Sequence, residues 1–310
     1  MLSGLVRLVQ TLHRTSEQIY AYISREILDA TLAPSVLLLP AFYAGLGPDP
    51  VGLSLMHGVD ATSYYALKCM VKIIWGDVVV HEALVELWPR MWKWMQLYHH
   101  HMYTLPDGLE NQIITLNLSI LRRVAFRDQD STVVEEMVDK ASGVRVMIAE
   151  IWVHYADVES LRRYENPSED LEVLLTKFLQ LDEKENLDAV LTGVGGSMDD
   201  LATLVVTTLH AIISDVTLER FNEDWPVRTI LFLMRFVSRS DEIILPFLHQ
   251  GLTQSLVRLT IAMESRPLGL NLQDCPAYDQ CIRTLCTILQ TEAAYPWVLE
   301  ALRPKFILVR

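Results

Sequence analysis

Apolar residues recur at helical intervals along almost the whole chain. Ile19, Ile23 and Ile27 stand one turn apart, Val144, Ile148, Ile151 and Tyr155 follow the same spacing, and Leu252, Leu256, Leu259 and Met263 repeat it. Steps of three and four gather such positions into one stripe along a helix. Start signals fall where the stripes begin: Thr15 with Gln18 and Thr132 with Glu135 form capping boxes, and Ser168 leads Glu169 and Asp170 into a first turn. Pro89, Pro226 and Pro276 each suit a first helical position, where a missing N–H removes no hydrogen bond. Residues 36–39 and 78–80 are the only stretches with strand character, and both are short. The polar tracts 165–170, 181–187 and 237–242 read as loops between helices. The expected fold class is therefore all-α.

The helices also keep a beat. Starts expected near Pro89, Gly143, Gly196, Gly251 and Pro304 lie 54, 53, 55 and 53 residues apart, which predicts a repeat of about 54 residues. Armadillo and HEAT units run to roughly 40–47 residues, so each unit here needs an extra helix or a longer loop. Segments 249–263, HQGLTQSLVRLTIAM, and 142–155, SGVRVMIAEIWVHY, look like the last helix of an armadillo unit. The architecture expected is an irregular armadillo/HEAT-like superhelix, one helical-repeat domain over 1–310 with a less regular part at 1–60.

Composition narrows the classes. At 51% hydrophobic and 21% charged, the 310 residues can bury a large apolar surface, which excludes disorder as the main state. A formal charge of −13 repels phosphate backbones and anionic lipid, so nucleic acid is not an expected partner. The opening residues carry Arg7 and His13 within their apolar run and lack a small-residue cleavage site, so an intracellular location, cytoplasmic or nuclear, is expected. Four cysteines, Cys69, Cys275, Cys281 and Cys286, are then expected to be reduced. Residues 30–48 are uncharged, but Pro34, Pro40, Gly45 and Gly47 break them, which argues against membrane insertion.

Several groups have the residue types that chemistry needs. The run Gly193-Val194-Gly195-Gly196-Ser197 has the glycine content of a phosphate loop. It follows a helix rather than a strand, however, no lysine comes after it, and Asp199 and Asp200 would repel an anion. Glycines ending one helix and Ser197 capping the next account for it. Asp199 and Asp200 also suit the magnesium-binding helix of an all-α terpene-synthase-like enzyme, the alternative function, although the run lacks a further acid one turn on. His99, His100 and His101 are consecutive, so their side chains diverge around a helix and read as an exposed helix end. No Cys-x-x-Cys pair and no Gly-x-Ser-x-Gly elbow occurs. The aromatic and basic run from Trp88 through Arg90, Trp92, Lys93 and Trp94 to Tyr98 has the composition of a binding patch, but packing explains both of its stripes. No residue is assigned to catalysis, to a cofactor or to a metal.

Four segments, LWPRMWKWMQLYHHH, SGVRVMIAEIW, GVGGSMDDLATLVVTTLHAI and YPWVLEALRPKFILVR, resemble in sequence and order a large group of mushroom helical-repeat proteins. Many of that group carry an MYND-type zinc finger after the helices. The resemblance implies an α-helical superhelix that, in longer relatives, is coupled to a protein-binding zinc module. The Cys and His pattern of that finger does not occur in these residues, so no zinc ligand carries over. The chain stops at Arg310 where such relatives run on, which reads as a shortened paralogue or an incomplete gene model. The function expected is a non-enzymatic scaffold whose partners are other proteins.

Overall fold

A computed structural model of the chain describes residues 61–75, 81–102, 109–126, 143–156, 184–217, 241–265 and 276–290, with a few isolated positions besides. All regular structure among the described residues is helical, so the chain is an all-α protein over that part. The helices are α1 Ala61–Trp75, α2 His81–His101, α3 Leu109–Phe126, α4 Val144–Ala156, α5 Lys184–Val194, α6 Met198–Thr217, α7 Asp241–His249, α8 Leu252–Glu264 and α9 Pro276–Leu289. They fall into two compact units, Met1–Val144 and Arg145–Arg310. Expectations resting on Thr15, Thr132, Pro226, Pro304, Cys275 and residues 36–39 and 78–80 lie outside the described residues. So does the segment 30–48, apart from a buried Leu46.

In the first unit, α1 and α2 both pack against α3. Aromatic hydroxyls pin the three together. Ser63 and Tyr98 share a buried hydrogen bond of 2.8 Å, and Tyr64 donates to Gln112 Oε1 at 3.1 Å. The Tyr64 and Tyr98 rings meet edge to face, with centroids 6.1 Å apart. Such contacts add to burial, because a T-shaped pair satisfies the ring quadrupole and each hydroxyl keeps a partner.

The second unit is built around α6, which packs against α5, α7 and α8; α8 in turn contacts α7 and α9. Leu201, Val205, Leu209 and Ile212 of α6 are buried, and each contributes about 1.5–3 kcal/mol relative to exposure. α4 joins this core through a hydrogen bond from Trp152 Nε1 to Thr208 Oγ1 at 3.0 Å. At the far edge, Tyr278 donates to Glu264 at 2.7 Å and ties α9 to the end of α8.

Helices α4, α6 and α8 begin at residues 144, 198 and 252, a constant interval of 54. A glycine with positive φ precedes each: Gly143 at 99° and Gly251 at 90° stand immediately before α4 and α8, and Gly196 at 101° stands two residues before α6, with Ser197 between. Only glycine enters that region without steric cost, so it allows a sharp turn into the next helix. Gly251 ends α7 and starts α8 at once, donating to Leu248 O at 3.0 Å and accepting from Ser255 N at 3.0 Å. The three helices also bury equivalent positions. Ile148, Ala202 and Leu256 are buried at the same step, as are Ile151, Val205 and Leu259, and Tyr155, Leu209 and Met263.

The expected boundaries at Pro89 and in three polar tracts are corrected. Pro89 does not open a helix but sits inside α2, which starts at His81; the beat therefore holds at the starts of α4, α6 and α8 and not at Pro89. Leu87, Trp88, Met91, Trp92, Met95 and Tyr98 are buried around it, enough apolar area to outweigh the roughly 3 kcal/mol that an interior proline costs a helix. Pro246 lies inside α7 in the same way. Pro276, by contrast, is the first residue of α9, as its sequence position implies. Of the tracts read as loops, 181–187 contributes Lys184 onward to α5, 237–242 contributes Asp241 and Glu242 to the first turn of α7, and Asp170 is itself helical.

Candidate functional site

The glycine-rich segment between α5 and α6 is the place where the sequence came nearest to a ligand site. Leu191 O accepts from Gly196 N at 2.7 Å, the six-to-one bond that closes a helix C-terminus. Gly195 and Gly196 supply the positive φ this closure needs, and α5 and α6 meet at a bend of 71°. Ser197 then caps α6. Its Oγ accepts from Asp200 N at 3.1 Å and donates to Asp200 Oδ2 at 2.6 Å. A cap of this kind is worth about 1 kcal/mol. One of the first-turn N–H groups that a phosphate would use is thus bound by the serine, and the Asp200 carboxylate lies over the turn: a Cβ on Gly195 would meet it at 2.9 Å.

Asp199 and Asp200, the pair considered for magnesium, are both exposed in the first turn of α6. The Asp199 main-chain carbonyl accepts from Thr203 Oγ1 at 2.8 Å, a local helical contact. Among the described residues no group of three or more His, Cys, Asp or Glu side chains is placed to hold a metal ion. Cys69 and Cys281 are buried, and Cys286 is exposed on α9.

The three histidines close α2 but do not share one environment. His99 is buried, His101 half-buried and His100 exposed, which corrects the reading of the run as a wholly exposed end. The cause is the buried stripe of α2, which passes from Met95 through Tyr98 and His99 to Met102. The rings of His100 and His101 meet edge to face at 4.9 Å. The aromatic cluster is interior too: Trp88 stacks on Trp92 at 5.7 Å, and Trp94 and Tyr98 are each 1% exposed. It packs the first unit and presents no aromatic platform.

Three contacts between helices escaped the sequence reading. Gly193, in the last turn of α5, lies against α4 so closely that a Cβ there would stand 2.5 Å from Val146 O and 2.7 Å from Ala149 Cβ. Trp152 donates to Thr208, whose own proton goes to Leu204 O at 2.9 Å. His210 Nε2 and Ser255 Oγ are 3.0 Å apart across α6 and α8. Ser255 Oγ also donates to Gly251 O at 3.1 Å, which leaves His210 as the donor in the pair. The serine is 1% exposed and its proton is engaged, so the pair pins two helices and has no nucleophile to offer.

No family model, curated protein or solved structure matches the chain. Among the described residues no single helix is long and apolar enough to cross a membrane; α5 and α6 together have that length and composition but are bent by 71° at the glycine turn.

His210 also gives a measurable pH dependence. Partial burial of the ring, and after it the charge of Arg258, hold the imidazole below its ordinary value of 6.5. A depressed folded value means the unfolded chain takes up the proton first, so the stability from neutral His210 is complete above about pH 6.5. It is lost as pH falls from there toward the folded value. Chemical denaturation at stepped pH between about 7.5 and 5 is expected to show this decline, and His210→Gln to flatten it. An unchanged slope in the variant would assign the dependence to other groups.

Proposed function

We propose that this chain is a non-enzymatic helical-repeat scaffold that binds other proteins, with its second unit built from armadillo/HEAT-like units of 54 residues. The common register of α4, α6 and α8 carries this reading: equal start intervals, a positive-φ glycine before each, and equivalent buried positions. Units of this kind cannot bury their apolar faces alone, so they stack and leave one continuous outer surface for a partner. Thr203 of α6 and Arg258, Ile261 and Glu264 of α8 supply exposed side chains for such a surface. The charge of −13 favours protein partners over nucleic acid, and a location inside the cell belongs to the same reading. Kinship with the mushroom helical-repeat group is part of it.

Quantitative affinity capture with the full chain is expected to enrich a reproducible set of proteins. Ile261 is 42% exposed, so Ile261→Asp should lower that enrichment several-fold without changing the far-ultraviolet circular dichroism. The enzyme alternative makes the opposite forecast. Magnesium-dependent release of diphosphate from an isoprenyl diphosphate, abolished by Asp199→Ala, would overturn the scaffold reading.

A further inference from the structure

We draw no further inference here: the strongest candidate, the exposed apolar stripe of Ile282, Cys286 and Leu289 along α9, carries nothing because nothing in the structure shows what covers it.

Discussion

Gly193→Ala is expected to destabilise the protein by about 2 kcal/mol, although the same change in an open helix would stabilise it by up to about 1 kcal/mol. The reversal comes from α4. An alanine methyl would press on the Val146 carbonyl oxygen at 2.5 Å and on Ala149 Cβ at 2.7 Å, and the first of these is backbone that cannot rotate away. The two helices must separate, and the neighbouring buried residues Ile148 and Val190 then lose close packing. Ala149→Gly should restore only part of the loss, because it relieves the side-chain clash and leaves the carbonyl in place. Gly196→Ala is a useful contrast: its Cβ meets nothing within 4 Å, so its cost comes from a φ of 101° alone. Urea denaturation of the three variants checks the order. A neutral or stabilising Gly193→Ala would mean that α4 and α5 do not approach as described.

The second large effect belongs to Trp152. This indole is 1% exposed, and its N–H reaches Thr208 Oγ1, which passes its proton to Leu204 O. Trp152→Ala removes a large buried side chain and should cost about 3–5 kcal/mol. Thr208→Val keeps the volume but strands the indole donor, at about 1–3 kcal/mol. Trp152→Phe removes the donor too, so combining it with Thr208→Val should cost less than the sum of the two single changes. Additive losses in that cycle would show that the bond contributes nothing.

Legibility of the fold followed the length scale of the interactions. Starts at Val144, Met198 and Leu252 could be read because a glycine precedes an apolar stripe, and both signals lie within a few residues. The start of α2 could not, because the penalty at Pro89 is local while the burial of Trp88, Trp92 and Trp94 that outweighs it is tertiary. The aromatic stripes were legible as core. Both were expected to pack, and Trp94 and Tyr98 do face inward, but which helices they meet is fixed only in the packed unit. In the glycine segment the cap was legible, since Ser197 and Asp200 are three residues apart. The pairs Trp152–Thr208 and His210–Ser255 span 56 and 45 residues, and no pattern in the chain announces which side chains meet when helices stack.

Removing one whole unit tests the repeat most directly. Deletion of residues 198–251, 54 in all, leaves the α5 turn and Ser197 leading into α8 as they now lead into α6. Deletion of residues 205–244, 40 in all, splices Leu204 of α6 onto Leu245 of α7 out of register. If the helices stack as repeating units, thermal melts followed by far-ultraviolet circular dichroism should show the first chain keeping its helicity per residue and a cooperative transition. The second chain should lose both. Equal damage from the two deletions, or collapse of the 54-residue deletion alone, would contradict a stack of 54-residue units.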